Sequence, residues 1–432
     1  MLGLSRYQWL VLFAAWLGWG FDVFDGLLFN FVGPICVPNL LHLKPGDPAA
    51  QSQSFYWVAA LTSLLLLGWA LGGIVFGKIT DRIGRTKTLL LTMLTYAGAT
   101  AACAFAQNLP MLALFRFVAS LGIGGEWAAG AALVAESLPA SKRVLGGALL
   151  YTSAPAGIAL ATFVNDLFNR KLQTIAANPN LSWRAVFLTG IIPALVALVI
   201  RLGIREPEVW KPEASPRIKE LFTPEFRRRT LGGLALAVVA LVTWWSCSAF
   251  IPQVAGLLAK GPGLSVAEFG RLKTLYVTHG TYWFCLGGLV GTLLTVPVAM
   301  RLGRRPMFLL YFLSGTAAIL ATFGLDLSAS VRLMMMGTVG LTVFGVFGSF
   351  TFYLPELFPV RLRGTGSGFC YNAGRIITSA FPFAVGQAAR HGKNPLDILV
   401  WVALAPAIGV LFIALGVGQE TRHQDRADEA VA

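Results

Sequence analysis

Residues 55–77 read FYWVAALTSLLLLGWALGGIVFG, a stretch without a single Asp, Glu, Lys or Arg. A hydrocarbon core about 30 Å thick takes about 20 apolar residues of helix to cross, so this stretch is long enough to span a membrane. Leu231 to Ala259, Pro306 to Leu325, Leu333 to Pro355 and Ile398 to Gln419 are free of the same four residue types. Lipid-facing backbone must satisfy its own hydrogen bonds, which leaves helices or a closed barrel, and runs this uniformly apolar exclude alternating barrel strands. The composition agrees: 56% hydrophobic, 12% charged, mean hydropathy +0.68, outside the range of ordinary soluble proteins.

The reading is therefore an all-α membrane protein of twelve transmembrane helices, near residues 7–35, 55–77, 87–107, 109–135, 144–168, 185–203, 230–258, 273–300, 306–325, 331–355, 364–389 and 396–418. The first apolar run continues into polar sequence without a small-residue cleavage pattern, so it is read as a spanning helix rather than a leader. The net charge of +14 is topological. With the N-terminus inside, 22 of the 34 Lys and Arg fall on the cytoplasmic side and 10 outside, a bias that sets both termini in the cytoplasm and argues against a nucleic-acid partner. Arg116 and Arg375 alone lie within helices. Cys36, Cys103, Cys247, Cys285 and Cys370 lack metal or redox spacing, so no disulfide and no metal site is expected.

A polar stretch from 205 to 229 divides the chain almost in half. Glu136, Pro139, Arg143 and Tyr151 recur at an offset of 220 as Glu356, Pro359, Arg363 and Tyr371, and Gly84 and Arg85 recur at 219 as Gly303 and Arg304. Matched features in two halves mark parallel repeats with a site at their interface near the bilayer midplane. The expected organisation is a six-helix half over 1–204, a cytoplasmic linker over 205–229, a second half over 230–419 and a short tail over 420–432.

The loop after the second span runs Gly77-Lys78-Ile79-Thr80-Asp81-Arg82-Ile83-Gly84-Arg85-Thr86-Lys87. Its glycines allow close backbone approach, and its acid sits among bases at the membrane surface. This resembles the G-x-x-x-D-R-x-G-R-[KR] signature of the major facilitator superfamily, departing in Thr86 before Lys87. The second copy, Met300 to Arg305, lacks the acid, so a weaker latch is expected there. Within the superfamily, Gly20-Phe21-Asp22-Val23-Phe24-Asp25, Arg116 with Gly122 to Trp127, and Tyr353 to Pro359 with Arg361 and Arg363 look like the proton-coupled organic-acid symporters, whose members carry sialate, monocarboxylates and aromatic acids.

Asp22 and Asp25 are three residues apart and share one helix face. Two neighbouring carboxyls at membrane depth favour holding a proton, which is what a proton carrier requires; the alternative is a structural pair with a base. Asp22 lies roughly 20 Å from the inner end of its helix and Arg116 roughly 10 Å from the outer end of its own, so an Asp22–Arg116 pair is expected, with Arg116 released to substrate on protonation. Arg375 sits roughly 16 Å into its helix, where a guanidinium can grip a substrate carboxylate through two parallel hydrogen bonds or pair structurally. Tyr371 and Asn372 stand ready to assist it. Glu126 is a proton way-station or a packing acid. Glu136 with Arg143, and Glu356 with Arg361 and Arg363, are expected to gate by ion pairs, together with Gly77, Asp81, Arg82, Gly84 and Arg85. By the repeat offset Asp22 maps to Val242 and Asp25 to Trp245. Trp244 and Trp245 could line a cavity, though an interfacial, lipid-facing position is the stronger expectation for tryptophan. His279 is read as a packing residue.

These readings point to a secondary transporter, not an enzyme. The expected activity is proton-coupled symport of a small organic anion, a monocarboxylate, by alternating access in a bacterial inner membrane. It needs no cofactor beyond the coupling proton, and no partner beyond the lipid bilayer and its solute, and the chain would act as a monomer. A facilitator or exporter of a neutral or cationic solute, and a non-transporting nutrient sensor, are the alternatives.

Overall fold

The computed structural model describes residues 4–43, 47–83, 85–138, 142–192, 195–196, 217–259 and 264–421. The first half contains α1 (Arg6–Leu40), α2 (Pro48–Ile83), α3 (Arg85–Cys103), α4 (Leu109–Ser137), α5 (Arg143–Tyr151), α6 (Ser153–Asp166) and α7 (Pro179–Leu188). The second contains α8 (Arg227–Leu257), α9 (Val266–Leu302), α10 (Arg304–Ile319), α11 (Ala329–Glu356), α12 (Arg363–Thr378), α13 (Ala380–Arg390), α14 (Pro395–Val402) and α15 (Leu404–Ala414). Nine helical stretches among the described residues are long and apolar enough to cross a membrane. Of the other expected spans, 87–107 is helical as α3, and 364–389 is α12 and α13 meeting at Ser379. The span 185–203 leaves the described residues beyond 196.

Several helix starts are written into local chemistry. Ser5 accepts from the Gln8 N–H while Gln8 reaches back to Ser5, and Ser265 with Glu268 repeats the device at α9, each satisfying N–H groups the helix leaves without partners. Asn178 and Asn394 cap helices that begin with Pro179 and Pro395, where proline's missing N–H costs nothing. These signals extend the helices past the expected bounds. α2 starts at Pro48 rather than 55, α9 at Val266 rather than 273, and α8 at Arg227 rather than 230.

Lipid offers apolar side chains no reason to leave it for a protein interior, so helices in a bilayer associate through close packing at small residues. The two halves do this in the same way. A Cβ on Gly72 of α2 would collide with the Leu121 carbonyl of α4, and a Cβ on Gly291 of α9 would collide with the Leu341 carbonyl of α11. Gly68 and Gly287 each precede their partner glycine by one turn and are equally crowded. The outward faces carry exposed leucine, such as Leu286 and Leu293 of α9 and Leu411 of α15.

The halves meet along a seam. At the end remote from Ser5 and Thr421, Thr278 donates to Asp166 at 3.2 Å and the Gln253 amide donates to the Asn30 carbonyl at 2.8 Å. Phe55 stacks on Phe250 at 5.9 Å, and Arg390 lies over the Tyr56 ring at 4.9 Å. Deeper in, α5 approaches α11 where Gly147 meets Thr351 and Tyr151 stacks on Phe347 at 5.8 Å. The space between these contact levels holds the buried charges.

Candidate functional site

Arg375 projects from α12 into that seam with 2% of its surface exposed. A guanidinium so deep is stable only if other groups replace its water. Two aromatic faces do so: Trp69 of α2 at 4.5 Å and Tyr371, one turn back on α12, at 4.4 Å from the guanidinium carbon. Such contacts are worth ~2 kcal/mol each when desolvated. Its Nη1 donates to Asn372 Oδ1 at 3.1 Å, and Asn372 lies against Gly73 of α2, where a side chain would crowd its amide. The Arg375, Tyr371 and Asn372 expected from sequence are therefore together, facing the other half.

Around them runs a wall of rings. Trp69 meets Trp19 at 6.0 Å and Trp245 edge-on at 5.5 Å. Trp245 meets Trp244 at 4.8 Å, Trp244 meets Phe347 at 5.6 Å, and Tyr151 closes the ring against Trp19 at 6.2 Å. Trp244 and Trp245 are buried at this seam, which corrects the expectation that they face lipid. Trp19, Trp69, Tyr151 and Phe347 escaped the sequence reading. Their signal was tryptophan in the middle of an apolar span, far from the interfaces that tryptophan prefers. The indole N–H groups of Trp69 and Trp244 are buried with no acceptor among the described residues.

Asp22 and Asp25 diverge instead of acting on one face. Asp25 accepts from the Thr100 hydroxyl at 2.6 Å and pairs with Arg116 at 3.6 Å. Arg116 also donates to the main-chain carbonyls of Asp25 at 3.0 Å and Gly26 at 2.6 Å. The expected Asp22–Arg116 pair is thus overturned, because Arg116 is held one turn further along α1. Its donors are committed to α1, and it does not join Arg375. This clamp binds α4 to α1. Since removing one partner of a buried pair costs about 3–5 kcal/mol, Arg116→Ala should markedly lower the melting temperature of the purified protein, with Arg116→Lys recovering only part. An unchanged melting curve would show that the clamp carries no such weight.

Asp22 is fully buried, and no donor among the described residues reaches either of its carboxyl oxygens. Across from it on α4 stands Glu126, near enough for the two carboxyls to hydrogen-bond, with Arg375 the neighbouring cation. Glu126 is itself buried, its carboxyl packed on Gly18, one turn before Asp22 on α1. These acids and Arg375 form one charge cluster spanning the seam.

The expected gating residues are placed unevenly. Gly84 lies outside the described residues, and so do the side chains of Gly77, Asp81, Arg82, Arg85, Glu136 and Arg143. In the second half Glu356 accepts from Arg304 at 2.6 and 3.1 Å and from the Thr421 hydroxyl. Arg361 turns away from Glu356 to Glu220 of the linker at 2.6 Å; its hydrogen bond holds the Glu220 carboxyl below the usual carboxylate range. Arg363 donates to the Phe358 carbonyl at 3.4 Å. The acid missing from the second basic turn comes from elsewhere in the chain. Glu420 accepts from the Arg304 and Arg305 N–H groups at 2.9 and 3.0 Å, capping α10, so the expected weaker latch is not what is found.

Buried charges at the seam of two pseudo-symmetric helical halves are the architecture of one group of carriers, and residues 9–382 match the family described as Major Facilitator Superfamily. The chain belongs to the Major Facilitator Superfamily. It is 28% identical over 414 residues to a probable 4-methylmuconolactone transporter of Cupriavidus pinatubonensis, covering 95% of this chain and 91% of that one. It is 26% identical over 465 residues to the niacin transporter NiaP of Acinetobacter baylyi, covering 98% and 96%. A crystal structure of a D-xylose-proton symporter shares the fold at a TM-score of 0.74 and 18% identity, over 96% of this chain and 99% of that one. As a superfamily member the protein is a multi-span membrane transporter of small organic solutes, not an enzyme, and its resemblance to the organic-acid carriers holds.

Proposed function

We propose that this transporter carries a small organic anion, a monocarboxylate, together with a proton by alternating access, with Arg375 gripping the carboxylate. The observation that carries the reading is the Arg375 guanidinium buried between Trp69 and Tyr371 beside the acid pair Asp22 and Glu126. A carboxylate can take two parallel hydrogen bonds from a guanidinium, and the indole N–H of Trp69 is a further buried donor. The ring wall offers flat apolar surface to the rest of the solute. At the end remote from Ser5 and Thr421, Arg170, Lys171 and Arg271 border a groove and would concentrate anions at the mouth. Asp22 and Glu126 hold the coupling proton, whereas Asp25 and Arg116 brace α1 against α4.

The same reading places the protein in a bacterial inner membrane with both termini cytoplasmic, as the Lys and Arg asymmetry supports. It takes 1–204 and 230–419 as the moving halves, 205–229 as linker and 420–432 as tail, and one chain as the working unit, since a single chain supplies both walls of the site. The test is uptake of radiolabelled monocarboxylates by proteoliposomes, with and without an inward proton gradient. Accumulation of one acid only when the gradient is imposed is the expected result. Uptake indifferent to the gradient, or of neutral solutes alone, would overturn it.

A further inference from the structure

Asp22 and Glu126 present two carboxyl groups to each other in the core, one from α1 and one from α4. A carboxylate is acceptor-only, so two facing carboxylates cannot bond unless one of them carries a proton. Neither Asp22 oxygen has a donor among the described residues, and the packing of Glu126 against Gly18 leaves its carboxyl little room to swing away. The charge count leads to the same place. Asp25 is balanced by Arg116 at 3.6 Å, which leaves Asp22 and Glu126 with Arg375 as the facing cation. Two carboxylates against one guanidinium leave an uncompensated charge in a water-poor core, where like charges sharing a site do not both ionise.

We propose that Asp22 and Glu126 share one resident proton in the substrate-free carrier, and that a second proton joins the pair when a carboxylate binds Arg375. This rests on the function proposed above and specifies its stoichiometry. In the empty state the singly protonated pair, with one negative charge, neutralises Arg375. An arriving carboxylate takes over Arg375, and the pair, freed of its counter-charge, accepts one more proton from the aqueous side and becomes neutral. One anion and one proton then cross together with no net charge, while the resident proton stays behind. The titratable and charged groups facing Asp22 in this step are Glu126, Asp25 and Arg375.

Infrared spectroscopy of the full-length protein in nanodiscs, without substrate at neutral pH, reads the resident proton through the C=O stretch of a buried carboxylic acid. The native band should be present, and Asp22→Asn and Glu126→Gln should each abolish it, because either single variant leaves one carboxylate facing Arg375. A native protein without the band, or a band that survives Glu126→Gln, would overturn the shared proton. This readout needs no substrate, so it stands or falls apart from the identity of the solute. Where an acid is transported, a potassium-diffusion potential imposed alone should drive no accumulation, while a pH gradient does. Accumulation driven by the potential would overturn the one-to-one exchange.

Discussion

Arg375→Ala abolishes gradient-driven accumulation of the transported acid and weakens its binding by roughly 10²–10⁴-fold. Hydrogen bonds to charged groups contribute about 1.5–3 kcal/mol each, a guanidinium gives a carboxylate two of them, and each 1.4 kcal/mol is about tenfold in affinity. Arg375→Lys separates this from a simple loss of charge. Lysine keeps the cation but has no planar fork and is more strongly hydrated, so it forfeits both the paired grip and the stacking on Trp69 and Tyr371 seen at 4.5 and 4.4 Å. It should recover only a small part of the binding. The measurements are equilibrium binding to purified protein and uptake in proteoliposomes, with the melting curve as a check on folding. A correctly folded Arg375→Ala variant that binds and accumulates the acid as the native protein does would move the carboxylate elsewhere.

How the site came to be partly legible follows from what membrane burial costs. Arg375, Arg116, Asp22, Asp25 and Glu126 were visible because an ionisable residue inside an apolar run is expensive, and all five are buried. Their pairing was not visible. Helix depth along a ladder of 1.5 Å steps put Asp22 level with Arg116, but rotation about each helix decides which carboxyl meets which guanidinium, and Asp25 took it. The ring wall was hidden for a related reason. An apolar helix in lipid has no polar outer face to mark its inner one, so Trp69 and Trp244 read the same whether they face solute or lipid. Sequence distance hid the Glu356–Arg304 and Glu220–Arg361 pairs, because the repeat suggested partners within each motif and the chain found them on neighbouring helices and in the linker.

The second large effect concerns the packing that lets the halves exist at all, and it too is inscribed in the sequence as Gly68-x-x-x-Gly72 and Gly287-x-x-x-Gly291. Gly72→Leu or Gly291→Leu should leave little folded, monodisperse protein. At both positions the obstacle is a backbone carbonyl, of Leu121 or Leu341, and a backbone cannot rotate aside as a side chain can. Even the single methyl of Gly72→Ala or Gly291→Ala should cost about 1–3 kcal/mol, the usual range for overpacking, and lower the melting temperature in detergent. The same change at Gly98 in α3 or Gly270 in α9 meets nothing within 4 Å, so there the better helix propensity of alanine should raise stability by about 0.5–1 kcal/mol. The pattern of signs is the test. If Gly72→Ala and Gly291→Ala melt with Gly98→Ala, close approach of α2 to α4 and of α9 to α11 is not what holds each half. If they fall together by similar amounts, the two halves are braced by one device used twice.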